Sequence, residues 1–516
     1  MTTPKLTLMK HYFSGKAKIP YYALQLVILL LSCAKGEDEN QRVEEKQLAG
    51  KYCGNCHLVP TPALLDKNTW LEHVLPAMAE RLGIELLEGN MYLHNKQSAI
   101  SSPDWQKLLK YYESLAPDSL QHHQQPFPEP LNSALFTLRK PTADSVTAST
   151  MVVKLDSSAG KVIVGVAGKP ALLSYNRLLK KSLIGELLSP PVDVNLLVEN
   201  KGKYMVTAMG GMRALDETRG QISLIGPDSG AGIIQISGDL IRPIETTPID
   251  FNKDGLTDYL VCAFGHNLGG LYILRQLPDR TFQKIIVKEV PGATHATIRD
   301  FNHDGWPDVM TLFAHGDEGI WIFINDQKGG FSERNLLRFP PVYGSSSFQL
   351  VDLNSDGRED ILYTAGDNSD YSRILKPYHG VYIFTDTGNL TFKQTFFYPV
   401  NGCTKAIAAD FDEDGKMDFA TIAFFADLKN KPFEKFLYFQ QKRTDAPDFT
   451  PFTLPLDKLG RWICMDVEDW DGDGDKDIAL GNFSSGFLNQ QNVQPDWNVN
   501  LPFVILENNT AKTSAK

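Results

Sequence analysis

Five acidic nonapeptides are the stretches of this chain with the clearest chemical meaning. They begin at Asp250, Asp300, Asp352, Asp410 and Asp469. Each has Asp at position 1, Asn or Asp at position 3, Asp at position 5, Gly at position 6 and Asp at position 9. Hard cations such as Ca²⁺ take about six to eight oxygen ligands, which alternate residues of a tight loop can supply. Glycine at position 6 permits the sharp bend. The motif therefore predicts up to five Ca²⁺ sites.

The predicted ligands are the side chains at positions 1, 3, 5 and 9, together with the main-chain carbonyl at position 7. They are Asp250, Asn252, Asp254, Asp258, Asp300, Asn302, Asp304, Asp308, Asp352, Asn354, Asp356, Asp360, Asp410, Asp412, Asp414, Asp418, Asp469, Asp471, Asp473 and Asp477. A metal-free acidic turn is the alternative for any single copy, because Asp, Asn and Gly are common in turns. Recurrence in register favours metal sites. EF-hands are excluded, because no copy has Glu at position 12 and strand-like segments follow the loops.

A second motif, Cys53-Gly54-Asn55-Cys56-His57, has the spacing of a c-type haem attachment site. In such a site two thiols add to the haem vinyl groups, and the adjacent histidine ligates the iron. A redox CxxC would need a βαβ setting, and a zinc site would need a second Cys/His pair nearby. The sequence offers neither, so it predicts one covalent haem c held by Cys53, Cys56 and His57.

The sixth iron ligand is predicted to be Met78, because a thioether suits electron transfer. Met91 is the next candidate, followed by His94 and His73. Pro76, just before Met78, is expected to break a helix and present the sulfur. A carbonyl at Pro60 or Pro62 is expected to orient His57.

Two helices are expected to position this motif. A polar helix from about 39 to 53 delivers the cysteines, and a second helix begins at Ser102-Pro103-Asp104 and ends before Pro117. Its apolar residues are spaced to share one face: Trp105, Leu108, Leu109, Tyr112 and Leu115. Together with CxxCH, the segment 43–117 resembles a class I cytochrome c domain. The resemblance implies that the two helices cross beside the haem, with Gly50 allowing close approach.

The acidic loops must be positioned by β-strands, since apolar strand-like runs follow them. The loops recur every 50, 52, 58 and 59 residues, which is the length of a four-stranded propeller blade. The pattern resembles the FG-GAP (VCBS) repeats of integrin α-subunit propellers. That resemblance implies that each loop joins the first two strands of a blade and binds one Ca²⁺. Two degenerate patterns, at 151–165 and 194–207, would raise the count to seven blades, with six or eight as alternatives.

The predicted fold class is multidomain, with a small all-α cytochrome c domain followed by an all-β propeller. The expected divisions are 1–32 as signal peptide, 33–42 as tether, 43–117 as cytochrome c-like domain, 118–144 as linker and lead-in, and 145–510 as propeller. The apolar run from Tyr21 to Leu31 is shorter than the roughly 20 residues that span a bilayer. It ends in Leu30-Leu31-Ser32-Cys33, which resembles a bacterial lipoprotein box. Cys33 is therefore the predicted lipidation site, with an ordinary secretory signal as the alternative.

The net charge limits the possible binding partners, and the three remaining cysteines raise the question of a disulfide. A net charge of −11 argues against nucleic acid. Cys262, Cys403 and Cys464 are interpreted as buried thiols, with one disulfide as the alternative.

The sequence predicts an envelope-anchored electron-transfer protein, placed in the outer membrane of a bacterium, on the periplasmic or the surface side. Its expected partners are a redox protein of the envelope, the membrane through the lipid anchor, and a protein or glycan ligand of the propeller. One alternative is a haem-linked dehydrogenase with its active site in the propeller channel, near His295, Ser345–Ser347, Thr404, Lys405, Arg461 and Trp462. Another is an adhesion or glycan-binding lipoprotein. The redox partner, the direction of electron flow and any substrate stay open.

Overall fold

A computed structural model describes residues 42–88, 91–122, 125–132, 134–197, 202–213, 215–226, 233–369, 374–486 and 493–511. The predicted signal peptide and the predicted lipidation site Cys33 lie outside these residues. Across the described ranges, no helix combines the length and the apolar character needed to cross a bilayer. The described chain forms a helical segment, 42–117, followed by a seven-bladed β-propeller.

Seven antiparallel four-stranded sheets form the blades. Blade 1 contains Thr150–Asp156, Lys161–Val166, Ala171–Tyr175 and Lys181–Glu186, and blade 2 contains Pro191–Leu196, Tyr204–Ala208, Gly220–Ile225 and Ile234–Leu240. Blade 3 contains Pro243–Ile249, Asp258–Ala263, Gly270–Gln276 and Phe282–Lys288, and blade 4 contains Ala293–Arg299, Asp308–Phe313, Gly319–Asn325 and Phe331–Arg338. Blade 5 contains Ser345–Val351, Asp360–Ala365, Gly380–Asp386 and Phe392–Pro399. Blade 6 contains Cys403–Ala409, Asp418–Ala423, Phe436–Arg443 and Asp448–Thr453, and blade 7 contains Trp462–Glu468, Asp477–Asn482, Phe503–Asn508 and Phe136–Arg139. The predicted count of seven is confirmed.

Blade 7 closes the ring with a strand from the N-terminal side of the propeller. Phe136–Arg139, the closure strand, pairs antiparallel with Phe503–Asn508, with Leu138 opposite Leu506. Glu129–Pro130 adds a short parallel fifth strand to blade 6. Residues of the predicted lead-in 118–144 thus complete two blades.

The blades are held together by apolar surfaces between neighbouring sheets. The second strands are buried along their whole length in blades 4 to 7, as in Asp308–Phe313. Met310 and Ile320 of blade 4 pack in one cluster with Phe348 and Leu350 of blade 5. A sheet with two apolar faces is stable only between two neighbours, which is why the repeats assemble into a wheel.

The helical segment contains three helices. Helix α1 spans 42–53; α2 spans Lys67–Thr69, a π-helical turn Trp70–Val74 and Leu75–Arg81; α3 spans Ser102–Leu115. A short hairpin pairs Glu85–Leu87 with Met91–Leu93, and a 3₁₀ turn covers Pro62–Leu64. The predicted start of α3 is confirmed, with the Ser101 hydroxyl accepting from the Asp104 N–H at 3.2 Å.

Helices α1 and α3 lie against each other around one apolar cluster. Lys107 forms an ion pair with Glu44 at 2.6 Å, and the Tyr52 hydroxyl donates to Asp104 at 3.0 Å. The cluster includes Trp70, Trp105 and Tyr112. Pairing of the first and last helix agrees with the expectation from the sequence.

Two details of this segment differ from expectation. An added Cβ at Gly50 would meet no described atom within 4 Å, so Gly50 is not the point of close helix approach. Pro76 does not break its helix, because it lies in the first turn of Leu75–Arg81, directly after the π-helical turn. Proline is tolerated there since that position needs no regular main-chain N–H bond.

The helical segment packs on the propeller face opposite the acidic loops. The loops join first to second strands, whereas the helical contacts lie mainly in connections that follow second strands. Ile374 and Val342 join the apolar cluster of the helices. The Tyr378 hydroxyl donates to the Leu64 carbonyl at 3.0 Å, and Arg81 donates to the Asn267 side chain.

Candidate functional site

The five acidic loops join the first and second strands of blades 3 to 7, as predicted. The position-1 carboxylate accepts hydrogen bonds from main-chain N–H groups across the loop. The Asp300 carboxylate accepts from the Asp304 N–H at 3.0 Å and from the Gly305 N–H at 2.7 Å. Positions 4 and 6 both have positive φ, as at His303 (60°) and Gly305 (87°). The loop backbone therefore brings its carboxylates together before any ion is bound.

The position-9 aspartates fasten each loop to its blade. Asp308 accepts from the Phe301 N–H at 2.9 Å and from the Asn325 N–H at 2.8 Å. All five are 0–1% exposed: Asp258, Asp308, Asp360, Asp418 and Asp477. Burial raises their pKa, to about 6 for Asp360 and to about 7 for Asp418 and Asp477. A cation in the loop would favour the ionised form.

Carboxylate oxygens converge most closely in the last two loops. One ligand atom each from Asp410, Asp412 and Asp414 lie within 4.8 Å of one another, and so do atoms of Asp469, Asp471 and Asp477. Like charges this close repel unless a cation lies between them. Oxygen donors of this kind fit Ca²⁺.

His57 is oriented as an iron ligand would need to be. Its Nδ1 lies 3.0 Å from the Leu58 carbonyl oxygen. A carbonyl only accepts, so Nδ1 carries the hydrogen and Nε2 carries the lone pair. Nε2 is buried and has no hydrogen-bond partner among the described residues. Burial lowers the pKa of His57, which favours the neutral imidazole. The donor set fits a haem iron.

The expected orienting carbonyls at Pro60 and Pro62 are used elsewhere. Pro60 accepts from the Tyr112 hydroxyl at 3.0 Å, and Pro62 accepts from the Trp70 indole at 2.8 Å. The carbonyl that faces His57 is that of Leu58, because the chain turns immediately after the motif.

The cysteines of the motif lie at the end of α1. Cys53 and Cys56 are both free thiols; Cys53 is partly buried and Cys56 is exposed. Burial, with a smaller contribution from Cys56, raises the pKa of Cys53 to about 11. Cys262, Cys403 and Cys464 are also unpaired; Cys262 and Cys403 are buried, as the thiol interpretation expected, whereas Cys464 is partly buried.

The candidates for a sixth ligand occupy different surroundings. Met78 lies on α2 and packs against the apolar cluster of the helical segment. Met91 is 61% exposed, and His73 is exposed as well. His94 has a buried Nε2 with no partner within the described ranges. Met78 and His94 are therefore better shielded from solvent than Met91 and His73.

Polar side chains on the innermost strands of the blades form a connected belt, which the sequence did not predict. Side chains of one inner strand bond the main chain of the next: Asp193 accepts from the Thr246 N–H at 3.2 Å, and Lys405 donates to the Met465 carbonyl at 3.1 Å. Glu245 pairs with His295 at 2.6 Å. Burial and Glu245 raise the pKa of Asp193 to about 6. The strands that supply the belt are far apart in sequence, which is why the pattern was missed.

A cavity of about 260 Å³ opens at the propeller centre, on the face that carries the helical segment. Its lining comes from all seven blades and includes Arg242, Ser345, Ser346, Thr404 and Phe424. Arg461 and Trp462, which the dehydrogenase alternative placed in the channel, are fully buried instead. Arg461 lies against the Phe424 ring at 3.9 Å.

Fold and loops together define a seven-bladed β-propeller with an acidic loop between the first two strands of five of its blades. Comparison with known families gives these repeats a name. The FG-GAP-like repeat family matches residues 250–311 and 300–363. The chain therefore carries FG-GAP-like repeats.

Similarity to individual proteins is more limited. A 133-residue stretch is 26% identical to a T-cell immunomodulatory protein homolog of Plasmodium falciparum (isolate 3D7), covering 24% of this chain and 18% of that protein. Among solved structures, the N-terminal domain of Nup159 is 11% identical, with a TM-score of 0.43, over 75% of this chain and 99% of that one. An ancestral GH74 enzyme is 11% identical, with a TM-score of 0.44, over 72% of this chain and 51% of that one.

Proposed function

We propose that this protein is an electron-transfer protein of the bacterial cell envelope, with a covalent haem c on the helical segment and a Ca²⁺-stabilised propeller as its docking platform. The observation that carries the proposal is the His57 imidazole beside two free thiols. Its Nδ1 is engaged by Leu58, and its buried Nε2 has no partner among the described residues. A buried nitrogen lone pair without a donor is costly, and a metal would satisfy it.

Each residue has a distinct part in this proposal. Cys53 and Cys56 would hold the porphyrin, His57 would hold the iron, and Met78 would supply its thioether as a second iron ligand. Haem bound there would supply a one-electron redox centre. The Leu58 carbonyl fixes the tautomer of His57 and its orientation.

In this proposal the propeller positions the haem-binding segment and carries no electrons itself. The pKa of His57 is affected mainly by burial, and Asp317 and Arg338 of blade 4 also act on it. These two propeller residues form an ion pair at 2.7 Å. The haem motif therefore lies close to blade 4. A redox partner that binds the propeller face would meet the helical segment at the same time.

The decisive experiment is haem analysis of the full chain, made in a bacterium that attaches haem in its envelope. We expect one haem per chain that stays attached after denaturation. The variant C53A/C56A should lose it, whereas C464A, which removes a thiol outside the motif, should keep it. A wild-type protein without covalent haem would contradict the proposal.

A second candidate function is adhesion through the propeller. It is favoured by the FG-GAP-like repeats and by the similarity to a protein named as a T-cell immunomodulatory protein homolog. An array of glycans and matrix proteins would test it. We expect specific hits that the C53A/C56A variant retains and that Ca²⁺ chelation abolishes; an array without specific hits would remove this candidate.

A further inference from the structure

A cleft of about 1070 Å³ lies between the closure strand, the third and fourth strands of blade 1, and the acidic loop of blade 7. We call it the basic cleft. Its lining includes five basic residues and three acidic residues. The basic residues are Arg139, Lys140, Arg177, Lys180 and Lys181, and the acidic residues are Asp144, Asp471 and Glu507. Five cations against three acids is unusual in a chain with a net charge of −11.

The acids of the basic cleft are already engaged. Glu507 is paired with Arg139 at 2.6 Å, and Asp144 is paired with Lys181. Asp471 belongs to an acidic loop, where a bound Ca²⁺ would neutralise it. Arg177 donates to the main-chain oxygen of Asp471 and so lies at the edge of the acidic loop of blade 7. Lys140 and Lys180 are exposed.

Two buried donors line the same cleft without partners. The Tyr175 hydroxyl and the Trp470 indole nitrogen make no hydrogen bond to any described residue. Both side chains are almost fully buried, at 2% and 3% exposure. A buried donor that stays unsatisfied costs about 1–3 kcal/mol. A ligand whose acceptor oxygens reached these two donors would remove that cost.

Trp470 is also exceptional within the repeats. It occupies position 2 of its acidic loop, where the other four loops have Phe251, Phe301, Leu353 and Phe411. An aromatic or aliphatic side chain suffices for packing at this position. The indole N–H is therefore an addition confined to the loop that borders the basic cleft.

The loop Asn176–Lys180 of the cleft is rigidly built. The Asn176 side chain accepts from the main-chain N–H groups of Leu178 and Lys180, both at 3.0 Å. Leu179 has φ of 54°, which is strained for a residue other than glycine. Such strain is found preferentially where a binding surface must keep its shape.

We propose that the basic cleft binds an acidic oligosaccharide, whose sulfate or carboxylate groups are held by Lys140, Arg177 and Lys180 and by the Tyr175 and Trp470 donors. The volume exceeds the roughly 300–1000 Å³ of small-ligand pockets, which suits an oligomer. An acidic peptide fits less well, because each of its residues brings fewer acceptor oxygens than a charged sugar residue does. This inference rests on the second, adhesive candidate function and is independent of the haem.

Calorimetry on the full chain in excess Ca²⁺ tests the proposal. The probes are a heparin hexasaccharide and a galacturonate hexamer, compared with neutral maltohexaose and a hexapeptide of glutamate. We expect the acidic sugars to bind, and R177Q/K180Q to raise their Kd about tenfold or more, the equivalent of about 1.4 kcal/mol. W470F should raise Kd about threefold to tenfold, while K393Q, which removes an exposed charge on blade 5, should leave it unchanged.

Three outcomes would overturn the inference. They are no binding above maltohexaose, tighter binding of the glutamate peptide than of either sugar, and equal affinities for R177Q/K180Q and K393Q. W470F gives its loop the residue that three other loops have, so its melting temperature should match the wild type. Array hits that persist in R177Q/K180Q would show adhesion through another face of the propeller, so the inference can fail while the adhesive function stands.

Discussion

At the scale of single residues, Glu318 is an ionisable group buried beside the helical segment. It follows the second strand of blade 4, is 1% exposed, and accepts the Ser345 N–H at 2.7 Å. Burial raises its pKa to about 8, with Asp367 also raising it and Lys376 lowering it. The folded protein therefore holds a proton that the unfolded chain releases at lower pH.

Glu318 predicts a pH-dependent stability. Between its ordinary pKa, near 4.5, and about 8, the folded state binds more protons than the unfolded state. The free energy of unfolding should therefore fall as pH rises through this window. Each pKa unit corresponds to about 1.4 kcal/mol. Glu318→Gln keeps an acceptor oxygen for Ser345 but cannot ionise, so it should become stabilising relative to wild type as pH rises from 5 to 8. Denaturant unfolding across this range measures the difference, and parallel pH profiles of the two proteins would contradict it.

Met78 carries the second residue-scale prediction. If it ligates iron, Met78→Ala should lower the haem reduction potential by about 0.1 V or more, since axial ligands tune haem potentials over about 0.8 V. The long-wavelength sulfur–iron absorption band should disappear as well. Met91→Ala serves as the control and should change neither property. A loss of both in His94→Ala, with Met78→Ala unaffected, would make His94 the ligand.

At the scale of elements, main-chain hydrogen bonds order each acidic loop, whereas its carboxylates repel one another. The position-1 and position-9 carboxylates are held by main-chain N–H groups, as at Asp410 with Gly415 at 2.9 Å and Asp418 with Gln441 at 2.8 Å. Asp412 accepts from the side chain of Gln440 at 2.6 Å and lies among like charges. The loop thus holds like charges close together, at an electrostatic cost that a bound cation would relieve.

This balance predicts that one substitution shifts the melting temperature in opposite directions with and without Ca²⁺. With Ca²⁺ present, Asp412→Asn should lower the melting temperature, because a charged ligand is lost. With a chelator present, the same variant should raise it, because repulsion with Asp410 and Asp414 is relieved. Each effect should be on the order of 1–4 kcal/mol, the range for charges about 4 Å apart between bulk water and a protein surface. Scanning calorimetry with and without chelator measures both. A shift of the same sign in both conditions would argue against a cation in this loop.

At the scale of the whole molecule, the ring is closed by a strand that precedes it in sequence. Phe136 of the closure strand lies 5.9 Å from the rings of Phe411 and Tyr438 in blade 6. Arg139 pairs with Glu507 of the neighbouring strand. The last blade is therefore completed, and held against blade 6, by a strand from the opposite end of the propeller sequence.

Weakening this closure should destabilise the entire wheel. Phe136→Ala removes a partly buried ring and should cost about 2 kcal/mol, less than the 3–5 kcal/mol of a fully buried Phe. Phe127→Ala, at a 71% exposed ring outside the closure strand, is the control and should cost much less. Chemical unfolding measures both, and equal losses would show that the closure strand contributes little.

Much of this architecture was predictable because its signals are local. The acidic loops, their spacing and the strand-like runs behind them predicted blades, loop positions and a count of seven. The boundary residues of α3 were predictable from its capping sequence for the same reason. By contrast, the role of Phe136–Arg139 was not predictable. These four residues lie near a proline-rich stretch, and nothing in them indicates the partner strand Phe503–Asn508.

The sequence by itself determined which residue types recur and at what interval: carboxylates around a bend in five loops, and two thiols beside a histidine. Only the tertiary structure decided which strand closes blade 7, and that Tyr175 and Trp470 share a cleft. The physical reason is distance along the chain. Hydrogen bonding within a nonapeptide depends on its own residues, whereas burial and contact between residues hundreds of positions apart depend on how all seven blades pack.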